Sequence, residues 1–346
     1  MILISDLKLH SHADLTGVAF PVLRHALLRE ADAHSLDVVR NTDVAVTCMT
    51  RFGTVGAEIR PVGARVTVRA AKSDRLHMLK ESLVEHLVQL IPEAVEQMRW
   101  SDAKQPGGIP ANFHFGRIEN ITPLGTSFLR MRLASDGLGS FTDDAIHFRL
   151  VLPPAHVDTV DWPYVSENGT TVWPKGERAL HRPVYTTRFI DHAVGVMDCD
   201  VFLHDGGRTT AWAQSAAVGD RVAFIGPGGG GIPKVKAINM YGDETAFPAI
   251  ARILETLPSN TVGDVVISAS GGALRDYHFD APDGMRLTTI MQGHDLAQLA
   301  LSGLTAHPDR FLWFAAEKSL VQPVRDAVKS ANITKQQTYI AAYWSK

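Results

Sequence analysis

RPVYTTR, residues 182–188, and HDGGRTTAWA, residues 204–213, set the reading of this chain. On an extended run alternate side chains point to opposite faces, so Tyr185 offers a flat face for stacking while Thr186 and Thr187 diverge. Arg182 and Arg188 flank them with forked donors suited to phosphate. Such a strand can hold a ring system and its pyrophosphate, or it is an ordinary barrel strand with solvated arginines. In the second stretch His204 leads into Gly206 and Gly207 ahead of a helical run, with Thr209 or Thr210 as the expected N-cap. Free N–H groups at a helix start converge on one point and favour an anion. Arg208 adds charge there, and Trp212 lies against a ring or fills the barrel mouth. The competing reading is a tight Gly-Gly turn above a core Trp.

Around these segments, residues 114–124, 127–135, 146–154, 196–204 and 220–226 read as short strands separated by turns, a small antiparallel barrel. A Pro-rich excursion, residues 153–183, interrupts it as an expected flap over one rim. GPGGGGIP, residues 226–233, has five glycines in eight positions, a loop for close ligand approach or a hinge. From Ala237 strands and helices alternate, which predicts a parallel sheet covered by helices. There GDETAFPAIARIL, residues 242–254, ends a strand and opens a helix with Thr245 near the cap, at the sheet end where ligands bind. It is not a GxGxxG loop. Residues 17–70 read as a small α+β unit, and a helix from Ser73 as N-cap carries Leu76, Leu79, Leu83, Leu87 and Leu90 at helical spacing. SDAKQPGGIPA, residues 101–111, reads as a linker. The expected domains are 1–105, small α+β; 106–235, barrel; and 236–346, α/β.

The chain has 346 residues, 45% hydrophobic and 21% charged, with a formal net charge of −3. That is ordinary globular composition, too long for one core, with no general attraction to nucleic acid. The two cysteines make neither a disulfide framework nor a metal site and fit a reducing cytoplasm. No apolar run reaches bilayer length, and no export signal stands at the start. His10 and His12 lack the further ligands a metal needs, and no metal site is expected.

Taken in order, RPVYTTR, the HDGG helix start, GDETAFPAI, the WFAAE strand end and the closing AAYWSK resemble the siderophore-interacting protein family, flavin-dependent ferric-siderophore reductases related to ferredoxin reductases. The resemblance runs from about residue 111 to 346. It implies an antiparallel FAD-binding barrel followed by a parallel-sheet domain for NADH or NADPH, with a small α+β domain of unassigned role ahead. It also implies a cytoplasmic enzyme that reduces ferric siderophore, or the same scaffold serving a ferredoxin or free flavin; a carrier without turnover is the non-enzymatic alternative. By position, Tyr185 would stack on the flavin, Thr186 would approach its reactive nitrogen edge, and Arg188 would meet the pyrophosphate, with Arg182 and Thr187 beside them. His204, Gly206, Gly207, Thr209, Thr210 and Trp212 would line phosphates and ring. Glu244, Thr245 and Glu317 would border the nicotinamide side. Arg149 matches one residue of a basic substrate patch, where Gly228 and Tyr339 replace the other two and Lys234, Lys236, Lys335 or Lys346 would compensate. Pro183 stands where the family has its first Arg. No proton-transfer catalyst is assigned.

Overall fold

The computed structural model describes residues 4–34, 36–103, 106–155, 157–291, 295–331 and 333–345. They divide into two compact units, one within residues 1–113 and 153–181, the other within 114–152 and 182–346. The first unit opens with β1 (Leu9–Leu15), α1 (Phe20–His34), β2 (Asp37–Asn41), β3 (Ala45–Thr50), β4 (Gly53–Ile59), β5 (Ala64–Ala70), α2 (Ser73–Leu90) and α3 (Pro92–Gln97). Its sheet is antiparallel in the order β1-β5-β4-β3-β2. Val66, Val68 and Ala70 are fully buried on one face, as their alternation requires. Leu76, Leu79, Leu83 and Leu87 join that core, whereas Leu90, at the end of the same stripe, is exposed. Ser73 is the first helical residue instead of the cap; Lys72 holds that place without a side-chain bond.

The chain then runs through β6 (Phe113–Leu124), β7 (Phe128–Ala134) and β8 (His147–Val151) before the excursion. The expected rim flap is instead part of the first unit, where β9 (Tyr164–Val165) and β10 (Thr171–Val172) pair as a small hairpin. The Pro/Gly stretch before it is not slack: Gly107 N–H donates to Val165 O at 2.7 Å, and Val165 N–H returns a bond to Gly108 O at 2.8 Å. From α2, His77 Nε2 lies 2.9 Å from Thr171 Oγ1, the Thr171 N–H donates to Glu81 at 3.1 Å, and Lys80 pairs with Asp102 at 2.8 Å.

Burial, helped by the Lys80 charge, lowers the His77 pKa to about 4 from 6.5. The folded state therefore rejects a proton that the unfolded chain accepts, and stability falls as pH drops from about 6.5 toward 4, by up to about 3 kcal/mol. Glu81, raised by burial, acts in the opposite direction, so His77→Gln isolates the imidazole. Thermal melts at pH 7.5 and 5 should differ more in wild type than in the variant; equal acid sensitivity would remove His77 from the account.

The second unit resumes as β11 (Val184–Thr186), β12 (Phe189–Asp191), β13 (Val196–Phe202), α4 (Arg208–Ser215) and β14 (Arg221–Gly228). Its antiparallel sheet has the order β11-β8-β14-β6-β7-β13-β12. The two outermost strands are consecutive in sequence, so Thr187 and Arg188 span the join between the sheet's ends. There Thr187 N–H donates to Ile146 O at 2.8 Å and Arg188 N–H to Asp198 O at 2.7 Å, closing the barrel. Met131, Leu133, Phe148, Leu150, Met197 and Phe224 fill it.

β15 (Ala237–Asp243), α5 (Phe247–Thr256), β16 (Val262–Ala269), α6 (Gly271–Asp276), β17 (Met285–Met291), α7 (Leu296–Ala306), β18 (Phe311–Glu317), α8 (Lys318–Ser330) and β19 (Thr338–Trp344) complete the unit. The sheet is parallel throughout, ordered β17-β16-β15-β18-β19. Strand order reverses between β15 and β18, the place where such sheets open a crevice at their carboxyl ends. Barrel and sheet share a core: Phe128 and Ile146 pack with Phe247, Ile250 and Tyr277. Among the described residues no helix is long and apolar enough to cross a membrane.

Candidate active site

The two segments singled out in the sequence meet in space. Tyr185, in the short strand β11, packs on the barrel core and is hydrogen-bonded through its hydroxyl to the Thr209 side chain at the start of α4. Burial pushes the Tyr185 phenol up to about 12, with the Thr209 bond opposing it. Thr186 and Thr187 are both buried; Thr186 Oγ1 faces His147 Nδ1 at 3.3 Å, while Thr187 Oγ1 has no partner.

Arg188 carries a bidentate pair with Glu255 of α5, one arm at 2.7 Å, and its buried Nε is unpartnered. Next to it, Arg252 donates to Thr187 O and to Asp143 at 2.9 Å. Sequence reading misses Glu255 because nothing local distinguishes it on the surface of a well-formed helix.

The HDGG segment lines an open depression of about 500 Å3, bordered by residues 203–208 with Thr210, Ala211 and Gln214 and by Thr126 from outside the segment. Gly207, and neither Thr209 nor Thr210, is the N-cap of α4. The threonines are buried in the first turn, and the Thr210 hydroxyl accepts the His204 N–H at 3.3 Å. Gly206 has φ +74, a conformation that only Gly adopts easily, with open space where a Cβ would stand. At Gly207 a Cβ would fall 2.6 Å from the His204 ring. Bare backbone therefore faces the depression. Trp212 is half-buried and packs against the barrel core.

The glycine loop after β14 is not a loose hinge. A Cβ at Gly229 would come within 2.5 Å of His147, and one at Gly230 within 2.3 Å of Tyr339.

At the carboxyl ends of β15 and β18 the acidic groups are already occupied. Asp243, not Thr245, caps the turn, accepting from Thr245 N–H at 3.1 Å and its hydroxyl at 2.5 Å, from Glu317 N–H at 2.9 Å and from Trp344 Nε1 at 2.9 Å. Glu244 accepts the Ser270 N–H at 2.9 Å, and Glu317 caps α8 through Ser319 at 2.7 Å. Burial raises Asp243 and Glu244 above the usual carboxylate range, against those hydrogen bonds. The start of α6 leaves the backbone open at Gly271, where a Cβ would meet nothing within 4 Å beyond its chain neighbours and its own helix.

Of the basic residues, Arg149 is exposed and donates to Arg182 O at 3.0 Å, with Val184 opposite it in the ladder. Lys234 is exposed. Tyr339 is packed on Trp313 and His147, and Lys346 lies outside the described residues.

Two orphaned donors, two and three residues after Tyr185, and a depression lined by bare backbone at Gly206 and Gly207 fit a nucleotide with stacked ring and phosphates. A closed antiparallel barrel of this kind, followed by a parallel sheet open at its switch point, defines a two-domain oxidoreductase that takes FAD in the barrel and NAD(P)H on the sheet. Residues 117–231 match the siderophore-interacting FAD-binding domain and residues 235–346 the siderophore-interacting protein family. The NADPH-dependent ferric-chelate reductase of Escherichia coli is 32% identical over 237 residues, 66% of this chain and 90% of that protein. The ferric vibriobactin reductase of Vibrio cholerae is 28% identical over 51% of this chain and 65% of its own length. The siderophore-interacting protein SipS of Aeromonas hydrophila has a similar fold, with TM-score 0.56 and 23% identity over 68% of this chain and 93% of that one. A siderophore utilization protein of T. fusca superposes with TM-score 0.57 at 23% identity and the same coverage. The chain belongs to the siderophore-interacting protein family.

Proposed function

We propose that the protein is a cytoplasmic ferric-siderophore reductase, taking hydride from NAD(P)H and delivering electrons to iron(III) held by a siderophore, which is released as iron(II). The observation that carries the site is the depression at residues 203–208, tied to the barrel's closing segment by the Tyr185–Thr209 hydrogen bond. FAD, when bound, accepts electrons in pairs and passes them on singly. Tyr185 would hold its ring, the Gly206–Gly207 backbone would approach its phosphates, and Thr187 Oγ1 with Arg188 Nε would supply the remaining donors. Glu244, Thr245 and Glu317 would shape the nicotinamide side through the loops they cap, and Arg182 with Arg149 and Lys234 would meet the chelate. With Tyr339 and Gly228 in the place of two cations, a chelate less anionic than a catecholate suits this rim. NADPH is the favoured donor, following the Escherichia coli relative's name. Two free thiols and an NADPH supply both suit the cytoplasm.

Purified protein should be yellow, or become so with FAD, and NADPH should bleach it. Adding a ferric hydroxamate should restore the colour while iron(II) appears in a trapping reagent. Protein that takes up no FAD would sink the proposal. A flavoprotein reoxidised by a ferredoxin but by no ferric chelate would assign the scaffold to that acceptor.

A further inference from the structure

The turn between β6 and β7 is held by a carboxylate from the α/β half. Asp276, the last residue of α6, accepts the Thr126 N–H at 2.8 Å, the Ser127 N–H at 3.1 Å and the Thr126 hydroxyl at 3.3 Å. These bonds, the Thr126 N–H foremost, hold the Asp276 carboxyl below the usual carboxylate range. The acceptor is therefore charged at neutral pH, which strengthens each bond. Gly125 has φ +56, and a Cβ there would collide with the Asp276 carboxyl carbon. The turn can close on Asp276 only because position 125 carries no side chain. Tyr277, the next residue, donates from its buried hydroxyl to Asp200 of β13, and its ring packs 4.8 Å from that of Phe128, the first residue of β7. The end of α6 thus grips the barrel at two neighbouring points.

The same turn borders the depression. Thr126 lines it, and every other lining residue comes from residues 203–214. Ser127 O accepts the Leu203 N–H at 2.8 Å, which joins the turn to the head of the HDGG segment. A Cβ on Gly272 would lie 3.4 Å from Ser127 Oγ, so the start of α6 abuts the turn as well. A short turn between paired strands makes few contacts of its own, and its amides otherwise bond to water. With those amides fixed by Asp276, Thr126 becomes a rigid lip. Tyr185 does not line the depression. With the flavin ring at Tyr185 and the phosphates at Gly206 and Gly207, the space along Thr126 and Leu203 falls to the adenosine end of FAD.

We propose that Asp276 is a positioning residue that fixes the 124–127 turn as a lip for the adenosine end of FAD, so that the α/β half completes the flavin seat of the barrel. This rests on the placement of FAD at the depression. FAD and FMN share the ring and the first phosphate, and only FAD carries the adenosine. Asp276→Ala should weaken FAD binding about tenfold and leave the FMN dissociation constant unchanged. Asp276→Asn, which keeps an acceptor oxygen, should hold FAD within about threefold of wild type. Equal losses for both flavins in Asp276→Ala, or unchanged FAD affinity, would overturn the proposal. If the variants fail to fold or FMN does not bind, hydrogen exchange in the wild-type protein decides. Saturating FAD should slow exchange of the Thr126 and Ser127 amides several-fold more than that of Ala193 and Val194, which Asp191 holds in the same way in a turn that does not line the depression. Equal protection of the two turns would overturn the proposal. Gly207→Ala separates the two layers of inference. Unchanged binding of both flavins there would overturn the placement of FAD, and the role of Asp276 with it. Weakened FAD binding in Gly207→Ala beside full affinity in Asp276→Ala would overturn the role of Asp276 alone.

Discussion

Arg188→Ala is expected to weaken FAD binding about ten- to a hundredfold, the effect of removing one charge-assisted donor to phosphate. The structure adds a competitor, since both terminal nitrogens of Arg188 are held by Glu255 and only the buried Nε is unpartnered. Two companion variants resolve that competition. Arg188→Lys should not restore binding, because an ammonium cannot reproduce the fork. Glu255→Gln should hold FAD as tightly as wild type or more so, because it releases the guanidinium. The side chain of Glu255 is about one-third exposed, so its loss should cost little stability, about 1 kcal/mol after solvent screening. Titration of apoprotein with FAD, followed by flavin fluorescence, reads all three. Full FAD affinity in Arg188→Ala would reduce Arg188 to a strut between barrel and α5.

Asp243→Ala is expected to be the most destabilising single change at the nicotinamide side. The carboxylate gathers four donors from three segments: Thr245 N–H and hydroxyl, Glu317 N–H and Trp344 Nε1. At about 1 kcal/mol per bond, with buried donors left unpaired, the loss is about 3–4 kcal/mol. Differential scanning calorimetry should show a transition of the second unit lowered by several degrees. Trp344 fluorescence should shift as its indole N–H loses its acceptor. An unchanged melt would mean that water or Glu244 takes over the donors.

Local chemistry makes the barrel strands legible, because apolar residues alternate along residues 127–135 and 196–204 with turn residues between them. The α/β half is legible for the same reason at a different period. The excursion misleads because β9 and β10 are two residues each, too short to show a period, and the bonds that tie their hairpin to Gly107, Gly108 and α2 reach far along the sequence. β1 and β4 escape notice because core-facing positions in them hold Ser11 and Ala13 in the one and Gly53 and Ala57 in the other, small residues with no apolar signature. At the site, the two segments of the barrel announce themselves through rare combinations of Gly, Thr and aromatic residues. Asp243 stands beside the more conspicuous Thr245 and is hidden by it, although Asp is the stronger capping residue. Glu255 and His147 leave no trace, because each is hydrogen-bonded to a residue more than thirty positions away.

The first unit is assembled from two stretches of chain separated by β6, β7 and β8. During synthesis the N-terminal sheet emerges first, yet the partners of His77 and Glu81 arrive only with Thr171. The first unit cannot finish until three strands of the second have left the ribosome, and those strands lack β11–β14 at that moment. The two units must then mature in overlapping order, so a truncated chain begun at residue 114 would carry residues 153–181 as an orphaned loop. Replacing that loop with a short turn would be the cleaner way to ask what the N-terminal unit contributes.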